Sequence, residues 1–287
     1  MDPNQFFAAS RVFIVAGKGG VGKSTVSAAL AVAARHSGLT SLLIETDAKP
    51  LLVDPGDDPG FSAQTLTPSD ALSEYLESRG LRRISRRLVS AGIVDVVASA
   101  APGIDNLLVL AKVKQLERAK AADVIIVDGP AAGHAITMLR TPRALADSVP
   151  VGPVRQQADD VLAMLSDETR CQVVLVTMPE PTPVNECVET AYALEEEVGV
   201  KLAPVVVNQC DLTERVPITA GANDALVRAA AFRNTRISIH EHECAELTRR
   251  LPLPQLRLSF MAEPDINHVA LALLDAIRLL PTQGSHS

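Results

Sequence analysis

Strand-length apolar runs alternate with helical-period segments along most of the chain. Arg11-Val12-Phe13-Ile14-Val15-Ala16 predicts a buried strand, and the alanine-rich stretch from Ser24 to His36 predicts a helix behind it. Leu42-Leu43-Ile44-Glu45, preceded by the turn residues Ser37-Gly38, predicts a second strand that ends at Thr46-Asp47. Further strands are predicted at Asp123 to Val127, Gln172 to Thr177, Ala203 to Val207 and Gln255 to Leu258, with helices at Pro183 to Glu197, Ala222 to Phe232 and Asp265 to Leu279. This alternation predicts an α/β fold: a mostly parallel sheet with helices on both faces.

One segment breaks the pattern. Leu51 to Ala122 is turn-rich at first (Asp54-Pro55-Gly56-Asp57-Asp58-Pro59-Gly60) and then helical, with Ser69 placed as a cap before Ala71-Leu72. The expected organisation is therefore a single domain over 1–287 with a small helical or irregular insertion over 51–122. Within it Leu81, Ile84 and Leu88 recur at helical spacing, with Arg82, Arg83, Arg86 and Arg87 between them, predicting an amphipathic basic helix with a solvated face. Lys112, Lys114, Arg118 and Lys120 are read as surface residues, and Pro281 to Ser287 as a frayed tail.

The first predicted strand runs directly into Gly17-Lys18-Gly19-Gly20-Val21-Gly22-Lys23-Ser24-Thr25, a P-loop with an extra lysine one residue after its first glycine. Its glycines let backbone N–H groups close around phosphates, Lys23 reaches the β- and γ-phosphates, and the Ser24 hydroxyl ligates Mg²⁺. Phosphate then rests on a helix N-terminus, where orphan N–H groups and the macrodipole favour an anion. Asp47, Asp128 and Asn208 fall at the C-terminal ends of predicted strands, the edge at which an open parallel sheet binds ligand. Asp47 is placed to hold or polarise an attacking water or to reach the Mg²⁺ shell. Asp128 closes Val124-Ile125-Ile126-Val127 in the form of a Walker B acid suited to holding the metal through water.

Composition narrows the function classes. With 287 residues, 47% of them hydrophobic, the chain has ample material for an α/β core. A net charge of -7 and 3% aromatic residues without tryptophan argue against a nucleic-acid-coating role, which needs a basic face and stacking platforms. No apolar run approaches membrane-spanning length, and Met1 to Ser10 carries neither the basic nor the apolar region of a signal peptide. The expected location is the cytoplasm, with membrane contact at most peripheral. Cys171, Cys187, Cys210 and Cys244 are scattered and form no C-x-x-C pair, in keeping with free buried thiols. His240, Glu241, His242, Glu243 and Cys244 offer metal-ligand types in a row, but they lack the spacing of zinc motifs and are read as a charged, solvated helix start.

Taken together, these motifs resemble those of the ArsA-type ATPases, the arsenite-pump ATPase and its eukaryotic relatives that target tail-anchored membrane proteins. Lys18-Gly19-Gly20-Val21-Gly22-Lys23-Ser24-Thr25 resembles that family's deviant Walker A, which implies that Lys18 crosses a dimer interface to the partner's phosphates. Asp128-Gly129-Pro130-Ala131-Ala132-Gly133-His134 is similar to its switch II, and Asp47 to the switch I aspartate that activates water. By the same resemblance Asn208 reads the adenine edge and Glu180 contacts nucleotide across the dimer. The implied activity is hydrolysis of ATP to ADP and phosphate with Mg²⁺ held by Ser24, Asp47 and Asp128, in a homodimer or a heterodimer with a paralogue that captures or releases a protein or anion cargo. Pro102-Gly103-Ile104-Asp105 and Lys112-Val113-Lys114-Gln115-Leu116-Glu117 resemble text of a single-domain bacterial branch. The chain departs from the family in reading Asp47-Ala48-Lys49-Pro50 in switch I, in having one ATPase half, and in lacking a C-x-x-C for a dimer zinc.

Two other readings share parts of this pattern. A ParA/MinD-like positioning ATPase also has the double-lysine loop, but its basic C-terminal helix is not matched by His268 to Arg278, which holds one arginine and an aspartate. A nucleotide-binding scaffold that supports an active paralogue needs no intact machinery, whereas Lys18, Lys23, Ser24, Asp47 and Asp128 are all in place.

Overall fold

The first strand, β1 (Val12–Gly17), is buried at every position, because a central strand of a parallel sheet must cover both faces with apolar side chains. Val12 and Ile14 enter one core cluster and Phe13 and Val15 the other, so a period-2 alternation feeds two separate layers. The computed structural model describes residues 1–47, 50–56, 58–78, 80, 83, 103–218, 223–263 and 265–281.

Among the described residues seven further strands join the sheet: β2 (Ser41–Glu45), β3 (Phe61–Thr65), β4 (Val124–Ala131), β5 (Cys171–Thr177), β6 (Lys201–Leu202), β7 (Val205–Cys210) and β8 (Gln255–Ser259). Their order is β3-β2-β4-β1-β5-β7-β8, with β6 paired to β5 off the path, and every pairing is parallel. Helices α1 (Pro3–Ala8), α2 (Lys23–His36) and α9 (Ile266–Arg278) cover one face. The other face is covered by α4 (Ile104–Arg118), α5 (Ala132–Ser148), α6 (Pro153–Leu165), α7 (Pro181–Ala193) and the C-terminal half of α8 (Asp224–Arg250). The doubly covered parallel sheet is the α/β architecture that the alternation predicts.

The segment over 51–122 differs from expectation in three ways. It contributes β3, which pairs along the whole of β2 and becomes the sheet edge, besides α3 (Pro68–Ser78) and α4. The cap of α3 is Thr67 rather than Ser69: Thr67 Oγ1 accepts from the Asp70 N–H at 3.1 Å and Asp70 Oδ2 accepts from the Thr67 N–H at 3.3 Å, a reciprocal capping box. Ser69 lies inside the helix. Lys114 is not a surface residue; it is buried, and its ammonium donates to Asp160 Oδ2 at 2.9 Å and Gln157 Oε1 at 2.8 Å on α6. The basic helix expected at 81–88 lies outside the described residues apart from Arg83, as does most of the tail expected at 281–287.

The helix expected over 222–232 runs as α8 for 27 residues, capped by Asn223, whose Oδ1 accepts from the Ala225 N–H at 2.7 Å. His240 to Cys244 therefore occupy the middle of a long helix, not its start. His240 and Cys244 share the buried face while His242 is exposed on another, so the three do not converge. His240 Nδ1 instead accepts the Asp211 N–H at 2.9 Å, and burial together with the neighbouring Arg236 charge lowers the imidazole's pKa, favouring the neutral acceptor. Among the described residues no group of three or more metal-ligating side chains is assembled. Cys210 and Cys244 are buried neighbours; the hydrogen bond between them, with burial, pushes the Cys210 thiol up, and the same bond draws Cys244 down.

Candidate nucleotide site

The proposed site residues gather at the C-terminal ends of β1, β2, β4 and β7 and at the N-termini of α2 and α7, on one side of the sheet. In-register pairing fixes this: Glu45 lies opposite Asp128 across β2 and β4, and Asp128 opposite Val15 across β4 and β1. Thr177 lies opposite Val207 across β5 and β7, one residue before Asn208.

The loop from Gly17 to Gly22 joins β1 to α2. A Cβ at Gly17 would stand 2.2 Å from the Val176 carbonyl oxygen of β5, so only glycine lets the two strand ends approach this closely. Gly22 caps α2 in the left-handed region (φ 90, ψ 27) and provides no side chain to the helix N-terminus, while Gly22 O accepts the first intrahelical bond from the Val26 N–H at 2.9 Å. The leading N–H groups of α2 thus have no side-chain cap and are available to an anion. Lys23 is buried at the mouth of the loop, its ammonium donating to the Lys18 carbonyl at 3.2 Å; Ser24 and Thr25 are half-buried beside it.

Asp128 is 4% exposed and lies inside β4 rather than after it, because β4 continues past the carboxylate to pair Ala131 with Gly17. Its Oδ1 accepts from Ser27 Oγ of α2 at 3.0 Å, and its carbonyl accepts from Thr46 Oγ1 at 2.8 Å. The β4 strand therefore ties the phosphate-loop helix to the start of switch I. Switch II passes from strand into helix without a loop, leaving Gly133 and His134 exposed in the first turn of α5. Asp47 is exposed, and its N–H donates to Glu45 Oε1 at 3.0 Å; Ala48 and Lys49 lie outside the described residues.

Glu45 was not singled out by sequence reasoning. It is 4% exposed, beside Asp128, and anchors the Asp47 backbone. The available signal is its spacing two residues before Asp47, which places both carboxylates on the same side of an extended chain.

Asn208 is 8% exposed, and its Nδ2 donates to the Val21 carbonyl at 3.0 Å while its Oδ1 accepts from the Gln209 N–H at 3.0 Å. A bulge between Val207 and Cys210, with Gln209 at φ 57, turns the amide toward the P-loop. A small cavity of ≈ 70 Å³ opens beside it, between Gly22, Thr25, Gln209, Leu258, Ser259 and Met261. Glu180 is exposed at the N-terminus of α7, and Lys18 is ion-paired to Glu186 of the same helix.

Gly22→Ala tests the strained cap. An alanine Cβ would meet Asn208 Nδ2 at 2.3 Å in a left-handed backbone. The expected loss is about 2–4 kcal/mol, read as a Tm lower by roughly 5–10 °C. A change of less than about 1 °C would show that neither the φ nor the contact constrains the loop.

A parallel sheet with a glycine loop feeding a helix N-terminus, a lysine at that N-terminus and a buried carboxylate on the adjacent strand defines a P-loop nucleotide-binding protein. Residues 10–151 match the family model described as anion-transporting ATPase. The chain is 31% identical over 232 residues to the ATPase BagA of Mycobacterium tuberculosis, a match covering 69% of this chain and 65% of the relative. It is 24% identical over 277 residues to a putative arsenical pump-driving ATPase of Halobacterium salinarum (86% of this chain, 41% of the relative) and 33% identical over 143 residues to the ATPase get3 of Schizosaccharomyces japonicus (46% and 44%). Residues 10–151 thus belong to the ArsA-type ATPase family, and the chain spans just under two thirds of the mycobacterial relatives it matches.

Proposed function

We propose that the chain is a Mg²⁺-dependent ATPase that closes face to face around ATP, with a second copy or a paralogue, and couples hydrolysis to capture or release of a cargo. The observation that carries the reading is the Asp128–Ser27 hydrogen bond, which locks the buried carboxylate to the helix whose N-terminus the P-loop forms. That donor set fits a metal–triphosphate: uncapped N–H groups and Lys23 for phosphate oxygens, the Ser24 hydroxyl and a nearby carboxylate for a hard cation. When bound, Mg²⁺ neutralises charge on the β- and γ-oxygens. Ser24 and Asp128 would hold it there. Lys23 leaves the Lys18 carbonyl for the phosphates, and Asp47, tethered by its own N–H to Glu45, orients the water from switch I or joins the metal shell. Asn208 holds the loop through Val21 and presents its remaining amide positions toward the base; Glu180, at the rim, faces the partner's nucleotide. Lys18 serves the partner's phosphates.

The positioning-ATPase alternative has less support. The apolar face of α9 (Val269, Ala270, Leu273, Leu274, Ile277) is buried in the core shared with α2, so it is not presented to a membrane. Among the described residues no helix is long and apolar enough to cross one.

Purified protein is expected to release phosphate from ATP with Mg²⁺ and to stop when EDTA is added. Lys18→Ala should lower turnover and ATP-dependent dimerisation at least tenfold, and monomer ATP affinity much less. Absence of Mg-ATP turnover, alone and with a paralogue, would leave the nucleotide-binding scaffold as the better reading; equal loss of all three quantities in Lys18→Ala would place that lysine in its own subunit's pocket.

A further inference from the structure

Lys18 is held at both ends inside its own subunit. Its carbonyl accepts from Lys23 Nζ at 3.2 Å, and its ammonium is paired to the Glu186 carboxylate on α7. Glu186 is not part of the P-loop, of either switch or of the base-side bulge at Asn208. It sits two turns into the helix that follows the C-terminal end of β5, at the rim of the site, with its backbone carbonyl fixed by Thr190 Oγ1 at 2.6 Å. Both side chains of the pair are about one third exposed, 34% for Lys18 and 38% for Glu186. Such a pair is strong enough to fix the direction of a long flexible side chain, and weak enough to break when a better anion arrives.

We propose that Glu186 is a positioning residue that parks Lys18 along the rim and sets the cost of ATP-dependent dimer closure; this rests on the reading that Lys18 acts in trans. To reach a partner's phosphates the ammonium must leave Glu186. A pair exposed to this degree is worth about a two- to fivefold factor. In a symmetric dimer both pairs break together, so the factors multiply to about 4- to 25-fold in the dimer dissociation constant. Closure is thereby made conditional on triphosphate charge: only an anion denser than a carboxylate repays the release. In a heterodimer whose partner lacks an equivalent acid, one factor applies.

Glu186→Gln keeps the shape and removes the charge. Sedimentation velocity with Mg²⁺ and a non-hydrolysable ATP analogue is expected to show the variant dimerising about 4- to 25-fold more tightly than wild type, and the half-maximal protein concentration for turnover to fall by a similar factor. Glu186→Ala should shift both in the same direction and serves if the glutamine variant does not fold. The gain should vanish in Lys18→Ala/Glu186→Gln, measured against Lys18→Ala. Unchanged or weaker dimerisation in both Glu186 variants, while Lys18→Ala does impair the dimer, would overturn the parking role alone. If Lys18→Ala leaves dimerisation intact, the trans reading itself fails, and the parking role with it.

Discussion

Lys23→Ala is expected to lower Mg-ATP turnover by about 10³-fold with little loss of stability. The ammonium is the full positive charge that α2 places at the phosphate loop, where its neighbours are backbone N–H dipoles and hydroxyls and the other ammonium, that of Lys18, is paired to Glu186. Removing one preorganised donor to developing transition-state charge typically costs about 3–4 kcal/mol, equivalent to a factor of 10²–10³, and a full charge in a water-poor loop belongs at the upper end. The folded protein loses much less. Lys23 is buried, but its hydrogen bond to the Lys18 carbonyl is a long 3.2 Å, worth about 1 kcal/mol net. Phosphate release and thermal unfolding measured on the same preparation separate the two effects. Residual turnover above about a tenth of wild type in a folded Lys23→Ala protein would mean that this loop is not where the chemistry happens. A drop in Tm of more than about 10 °C would instead make Lys23 a structural cap.

The sequence exposes β1, β2, β4, β5 and β7 because each carries a run of apolar residues long enough to be buried on both faces, and β8 because Leu256 and Leu258 alternate with exposed Arg257 and Ser259. The edge strand β3, Phe-Ser-Ala-Gln-Thr, buries only Phe61 fully, and nothing in its composition separates it from a loop until β2 pairs with it. The length of α8 is concealed for a different reason: its buried stripe passes through His240 and Glu243, which break the apolar periodicity. His240 is tolerated there because Asp211, 29 residues away, provides an N–H to its ring nitrogen. Asp211 is itself buried, which raises its pKa, but Thr213, Arg233 and Arg236 more than offset this and hold it as a carboxylate. Lys114 and Glu117 of α4 are buried by the same kind of remote partner, Asp160 at 46 residues and Arg170 at 53. Such pairings have no local signature.

The candidate site is legible where its residues are local in sequence. The P-loop is contiguous, and Asp47, Asp128 and Asn208 are marked by the strands that carry them. What the strands do not reveal is how the residues engage one another. Asn208 turns to the Val21 carbonyl through a bulge, and Lys18 turns to Glu186, which lies 168 residues on. Glu45 escaped notice because it reads as the last residue of an apolar strand, and its burial beside Asp128 appears only once β2 and β4 are in register.

That register underlies the second large effect: Asp128→Asn should lower turnover by about 10²-fold or more while leaving the ligand-free protein as stable as wild type, or more so. Glu45 and Asp128 lie directly opposite on neighbouring strands, each 4% exposed, and like charges across a strand pair destabilise it. An amide at 128 keeps the acceptor oxygen for Ser27 Oγ, so the tie between β4 and α2 survives, and one of two adjoining buried carboxylates disappears. What it cannot do is hold a hydrated divalent cation, whose charge would otherwise offset both carboxylates. Loss of function with retained or increased stability is the pattern of a group kept for chemistry at a cost to the fold. The measurement is Tm with and without Mg-ATP: wild type should gain stability when magnesium is added to ATP, by the linkage of a ligand that binds the folded state only. Asp128→Asn should start at an equal or higher Tm and gain little from the metal beyond ATP alone. A full magnesium-dependent gain in the variant would remove Asp128 from the metal's shell and leave Asp47, exposed on switch I, as the carboxylate that reaches it.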